Sequence, residues 1–327
     1  WGILFTTGAW AIIFGLNISS GFKSAVTIYI SIPLVLVPQL LFSGTMVSFD
    51  RLHPNISNRE YTPILGDIMA SRWSYEALAV FQYMNNDYET YFYDAEQKRS
   101  GASYAKTSWI PELQSLNDEC QDLLEKGNVG LLRKRSLLLF TELSKLESSR
   151  LKKMPSFMRQ LFSEQYGNDS HEKISQELQV LKEKNSESFD LWNGQCDSIS
   201  NRLIEKYGST QAVVNFKHKH TNEALNNLLL SKHDFTQIMV YPDMMVRKKQ
   251  PIYNIPDNHY GRAQFYAPYK RFATLTVPTP LFNIIVLWLS CILFYFTLYF
   301  DLLRRFLSRI EESRMLRMHK KLQKLRG

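Results

Sequence analysis

Residues 22–49 read FKSAVTIYISIPLVLVPQLLFSGTMVSF and carry no charge after Lys23. About 20 apolar residues, each rising 1.5 Å along a helix, cross the hydrocarbon core of a bilayer, so this run is long enough to span one. A polar link, Asp50–Thr62, follows, and then Pro63–Tyr83 (PILGDIMASRWSYEALAVFQY). This second piece keeps a helical rhythm but holds Asp67, Arg72 and Glu76, which makes it too polar to cross. Its apolar positions Ile64, Ile68, Trp73, Leu78 and Phe81 suit a helix lying at the interface or dipping back into protein. A spanning helix followed at once by a half-buried charged helix points to a transport gate more than to a simple anchor.

Working outward, the same apolar character recurs twice. Trp1–Ile18 has no charge, and Leu281–Phe300 follows the helix breakers Pro278 and Pro280. The chain of 327 residues is 21% charged overall, an average that hides three apolar blocks separated by polar ones. Pro33 and Pro38 lie inside the second block and should kink it. The net charge of +8 is concentrated in the tail from Asp301, where nine Lys/Arg outnumber three acidic residues. A basic surplus beside a span is a topology signal and not a nucleic-acid footprint. The tail therefore belongs in the cytoplasm, residues 50–279 outside, and the Lys23 loop inside. The tail helix Leu302–Leu325 suits anionic lipid headgroups, with docking onto a cytoplasmic partner as the second reading. The expected location is a plasma membrane, of the bacterial inner-membrane kind. In a eukaryote, Asn55-Ile56-Ser57 and Asn168-Asp169-Ser170 would be external glycosylation acceptors. Because the chain opens at Trp1, inside an apolar helix, it reads as the C-terminal portion of a longer protein.

The external region is mostly helical in pattern. Ile174, Leu178, Leu181, Trp192, Cys196, Ile199 and Leu203 recur at spacings of three and four and predict a seam helix ending near Lys206-Tyr207-Gly208. Glu112–Glu125 and Leu131–Arg150 predict two more helices, Ser209–Leu230 another with Ser209 as N-cap, and Pro155–Gly167 a shorter one. Tyr241–Pro280, rich in proline and tyrosine, predicts irregular or short-strand structure. The fold class that results is an all-α membrane protein. It has two spans in residues 1–49, a link and re-entrant helix in 50–85, a helical extracytoplasmic domain in 86–278, a last span in 279–300 and a basic tail in 301–327.

Catalytic signatures are missing from the sequence. It contains no GxxxxGK[ST] loop, no HExxH and no CxxC. His218-Lys219-His220 are too closely spaced to share a helical face, so a solvated surface is the expectation and no metal is assigned. Of the three cysteines, Cys291 lies in the last span. Cys120 and Cys196 fall on different external helices, and either a bridge or two buried free thiols is consistent with that placement. Arg72 and Glu76, spaced i and i+4, form either an ordinary intrahelical ion pair or a brace over an exit.

The stretches Pro38-Gln39-Leu40-Leu41-Phe42-Ser43-Gly44 and Ser71-Arg72-Trp73-Ser74-Tyr75-Glu76-Ala77-Leu78 resemble the G-subfamily (white/pigment and multidrug type) of ABC transporters. Members carry a Phe-Ser-Gly turn at the end of the fifth membrane helix and an Arg-Tyr-x-x-Glu-Ala-Leu pattern in a short re-entrant segment. The likeness covers roughly the first 85 residues and, more loosely, the last span. It implies ATP-driven export, with ATP and Mg bound by a nucleotide-binding domain that lies, with three further helices, before Trp1 or in a partner chain. It also implies a homodimer. By position, Val37 and Leu40 would face the translocation cavity, and Thr45 and Met46 would occupy the exit gate, which Arg72 and Glu76 brace. Thr45 stands where members place a bulky residue, and the external insert is several times longer than theirs. A non-transporting sensor or scaffold anchored by three spans is the alternative reading.

Overall fold

The structure is a computed structural model that describes residues 1–22, 24–47, 49, 52–53, 59–149, 166–232, 236–256, 258 and 260–309. Lys23, the Asn55-Ile56-Ser57 acceptor, most of the expected Pro155–Gly167 helix and the tail from residue 310 lie outside the described residues. The chain divides into two compact units, Trp1–Val80 with Thr274–Gly327, and Phe81–Ala273.

In the first unit, α1 (Gly2–Gly21) and α11 (Thr279–Tyr299) are each long and apolar enough to cross a membrane. They pack side by side through Trp10, Phe14 and Phe294, with Leu287 and Cys291 buried in the same cluster. Asn17 adds a polar clasp, with Nδ2 donating to the Phe294 carbonyl (2.9 Å) and Oδ1 accepting from Thr297 Oγ1 (2.7 Å). Such bonds hold apolar helices together where packing surfaces are no more apolar than lipid.

The block at 22–49 is a shorter helix than its apolarity predicts. α2 runs Ala25–Leu41, 17 residues, or about 25 Å at 1.5 Å per residue. Its end is set by polar atoms. Ser43 Oγ donates back to the Leu40 carbonyl (2.8 Å), Thr45 N donates to Ser43 Oγ (3.2 Å), and Gly44 turns the chain with φ 78°. The expected helix over Pro63–Tyr83 is likewise two pieces, α3 (Ile64–Ile68) and α4 (Ala70–Met84), with Met69 extended between them.

The second unit is built on antiparallel helices. α5 (Glu89–Tyr104) continues through a π turn, Ala105–Trp109, into α6 (Ile110–Glu125). The π turn falls just before Pro111, whose missing N–H interrupts the i→i−4 ladder. After α7 (Val129–Ser149) comes α8 (Asn168–Tyr207), 40 residues that pack against α6 with one half and α5 with the other. Ile174 and Leu178 sit in one core with Leu113, Leu116, Cys120, Leu139 and Leu143, and Cys196 and Leu203 in another with Phe92 and Ala95. Gly208, at φ 84°, ends α8 in the left-handed region that glycine enters without a Cβ clash.

The expected Ser209–Leu230 helix is split. Ser209 caps α9 (Thr210–His220) by accepting from Ala212 N, and Asn222 caps α10 (Glu223–Leu229) by accepting from Leu225 N. Strands β1 (Ile238–Val240) and β2 (Met245–Arg247) pair antiparallel, Met239 opposite Val246, and a 3-10 turn follows at Pro251–Tyr253. β3 (Tyr269–Phe272) closes this unit, and β4 (Leu275–Pro278) leads into α11.

Candidate functional site

α4 buries its two charges together with small apolar residues and leaves large apolar side chains exposed. Arg72, Ser74, Glu76, Ala77 and Val80 are buried, whereas Leu78 and Phe81 are exposed; in α3, Ile64 and Ile68 are exposed too. Thus much of the apolar stripe read from the sequence points outward, and the charges point inward. A buried charge requires a partner and hydrogen bonds, and the structure supplies both.

Arg72, 2% exposed, lies at the centre. Its Nη1 donates to Glu76 Oε2 (3.2 Å), and its Nη2 donates to Thr62 Oγ1 (2.6 Å) and to Asp67 Oδ1. Thr62 Oγ1 in turn donates to Asp67 Oδ1 (2.9 Å). The guanidinium sits 3.7 Å from the Trp73 ring centroid, and Trp73 Nε1 donates to the Asp67 carbonyl (2.7 Å). The break at Met69 makes this possible, because it turns Asp67 of α3 back toward Arg72 of α4. Gly66 permits the tight approach of α3. A Cβ there would meet the Phe49 ring at 3.2 Å and the Phe42 carbonyl at 3.3 Å.

From this centre α4 reaches each of the three apolar helices. Toward α11, Asn283 Nδ2 donates to Glu76 Oε2 (2.8 Å) and to the Trp73 carbonyl (2.9 Å), with Glu76 and Asn283 both fully buried. Toward α1, Thr7 Oγ1 donates to Ser74 Oγ (2.8 Å). Toward α2, Ser71 N donates to Gln39 Oε1 (3.1 Å) and Ser71 Oγ to the Gln39 carbonyl (2.5 Å).

The residues assigned from the sequence fall into two groups. Arg72 and Glu76 are joined as their spacing predicts, but as part of a buried network and not as a lone surface pair. Val37 and Leu40 are exposed on α2, and Met46 is exposed just beyond its end. The Thr45 hydroxyl lies 2.5 Å from Ser43 Oγ and so belongs to the cap that stops α2. Sequence reasoning missed Gln39, Thr62, Ser71, Ser74, Thr7 and Asn283. One signal was readable: Asn17, Gln39 and Asn283 are the only carboxamides inside the three apolar runs.

Of the two alternatives for Cys120 and Cys196, the structure holds free buried thiols in separate clusters. Burial pushes the Cys120 thiol up to about 12, with Glu119 adding to the shift. Among the described residues no cluster of His, Cys, Asp or Glu is arranged to hold a metal ion. No family model, curated protein or solved structure matches the chain.

Proposed function

We propose that this chain is the membrane-spanning part of an ATP-driven exporter of lipids or hydrophobic compounds, working as a homodimer. ATP and Mg would be bound by a nucleotide-binding domain in the same protein or a partner chain. In this reading α1, α2 and α11 cross the membrane, with the basic tail in the cytoplasm and residues 50–279 outside. The observation that carries it is helix α4, which buries Arg72, Ser74 and Glu76, leaves Leu78 and Phe81 exposed, and is bonded to α1, α2 and α11 together. Lipid is the surrounding in which exposed apolar and buried charged side chains cost least. Bonding to all three helices makes α4 a rigid brace beside the end of α2. Met46, flexible and exposed, then closes the exit, and Val37 and Leu40 line the path below it.

The test uses the full-length protein in proteoliposomes loaded with ATP, reading export of a fluorescent lipid probe alongside ATP hydrolysis. Met46→Ala should raise leak or hydrolysis while weakening coupled export. Parental coupling in Met46→Ala would refute the gate. No ATP-dependent export by the parent would refute transport, in favour of a membrane-anchored sensor or scaffold.

A further inference from the structure

Far from α4 in sequence, the second unit holds a cation with no carboxylate partner among the described residues. Arg247, at the end of β2, is half-buried. Its Nε donates to the Lys249 carbonyl (3.0 Å), and its Nη2 donates to Ser100 Oγ (2.5 Å) and Gln250 Oε1 (3.4 Å). Its guanidinium lies 4.8 Å from the centroid of the Tyr104 ring. Every one of these partners is neutral, and Nη1 makes no hydrogen bond among the described residues. Two carboxylates of this unit are engaged elsewhere. Glu142 accepts from Lys145 Nζ (2.6 Å), Met245 N (2.7 Å) and Trp109 Nε1 (3.2 Å), and Glu96 accepts from Tyr253 Oη and Arg99 Nη2. A guanidinium withdrawn from water ordinarily ends on a carboxylate or phosphate, in the forked geometry that suits it.

A second observation points the same way. Gln97 Nε2 is buried and has no acceptor among the described residues. Gln97 precedes Ser100 and Tyr104 by three and seven residues, which places it on the face of α5 that meets residues 247–253. On that face Tyr93 Oη donates to the Ile252 carbonyl (2.8 Å) and Ser100 Oγ to Gln250 Oε1 (2.5 Å). Two unmatched donors, Arg247 Nη1 and Gln97 Nε2, therefore lie along one seam. Lys248 and Lys249 follow Arg247 directly, and this run of three cations favours a multiply charged anion over a single carboxylate. Burial without a counter-ion lowers the Arg247 guanidinium to about 10, which agrees with a charge short of its partner.

We propose that the seam between α5 and β2 is a binding site for a phosphate group, gripped by Arg247 and completed by Gln97. Arg247 is held in place before the ligand arrives, since three hydrogen bonds and the Tyr104 ring fix its plane. The phosphate is either a free ion or part of a lipid headgroup. This site is independent of the transport reading, because none of its residues belongs to the α4 network.

The experiment follows the thermal unfolding midpoint of the full chain in neutral detergent. One arm titrates inorganic phosphate at constant ionic strength, and the other titrates phosphatidylglycerol against phosphatidylcholine. A saturable rise with phosphate supports the site with a free ion. A rise with phosphatidylglycerol alone supports it with a headgroup. In either case Arg247→Gln should shift half-saturation at least about tenfold, the usual scale for losing a charge-assisted pair. Should Arg247→Gln not fold, Gln97→Leu decides, since its amide has no partner to lose. Weaker saturation in Gln97→Leu then supports the proposal, and parental saturation overturns it. No saturable rise with either ligand, or parental saturation in a folded Arg247→Gln protein, also overturns it.

Discussion

Removing Glu76 tests the α4 network directly. Arg72 is 2% exposed and Glu76 fully buried, with Nη1 and Oε2 3.2 Å apart, and Asn283 Nδ2 reaches the same oxygen at 2.8 Å. Glu76→Ala strips Arg72 of a carboxylate partner and removes one acceptor of the Asn283 amide, which keeps the Trp73 carbonyl. Breaking a buried pair from one side costs about 3–5 kcal/mol, mostly because the remaining charge stays buried. That is roughly a 140- to 3,700-fold change in the folded-to-unfolded ratio at 1.4 kcal/mol per decade. Replacing both members, as Arg72→Met/Glu76→Leu, removes the stranded charge, and apolar replacement of a whole pair is often near neutral. Asp67 then loses Arg72, but it is 27% exposed and keeps Thr62, so solvent limits that loss. The double variant should therefore be more stable than Glu76→Ala, with a coupling of about 2–4 kcal/mol between the sites. Denaturant titration of the purified full chain in micelles, monitored by tryptophan emission, measures the cycle. Additive effects, or a double variant less stable than Glu76→Ala, would show that the pair is not the buried network described.

Two further outcomes follow from the second unit. Burial, reinforced by Glu96 and opposed by Lys217 and Lys232, raises the Glu89 carboxyl from 4.5 to about 7. Its proton is bound more tightly in the folded state, so the stability it contributes is complete below about pH 4.5 and lost as pH rises through about 7. The full difference is about 3 kcal/mol. Glu89→Gln should flatten this fall in denaturant titrations between pH 5 and 8, and an unchanged slope would refute the assignment. Cys120 and Cys196, buried and with thiols raised by that burial, should resist iodoacetamide at pH 8 and react once the chain is denatured. A non-reducing gel shift abolished by Cys120→Ser would instead reveal a bridge.

What was legible in the sequence is what local pattern encodes. The last apolar helix was expected over Leu281–Phe300 and lies at Thr279–Tyr299, where apolarity sets its limits. The seam of α8 was legible through Ile174, Leu178, Cys196 and Leu203, which the structure buries. α5 was not legible. Its buried positions include Glu89, Tyr93, Ala95 and Ser100, which form no apolar stripe; Tyr93 and Ser100 meet the Ile252 carbonyl and Gln250, brought from far along the chain. The end of α2 was missed for a related reason, because Phe42–Phe49 stays apolar while the stop comes from one serine hydroxyl and a glycine turn. In the site, the Arg72–Glu76 spacing was local and visible. Asn283 reaches Glu76 across 207 positions, and Gln39 reaches Ser71 across 32, so no periodicity could pair them.

The contacts of α4 also limit which parts of the proposed exporter can move. In lipid, apolar helices gain little from burying surface against one another, so interhelical hydrogen bonds, each worth about 0.6–2 kcal/mol, carry much of the cohesion. α4 makes such bonds to α1 through Ser74, to α2 through Ser71 and to α11 through Glu76. Any rotation of α4 would break several at once and strand Arg72 as well. The Ser71 bonds hold α2 at Gln39, one turn before its end. Just beyond that point, Ser43 Oγ bonds the Leu40 carbonyl and Thr45 bonds Ser43, and Met46 is 73% exposed. In the proposed exporter, Thr45 and Met46 would be the parts that move, and α4 the fixed wall against which they work.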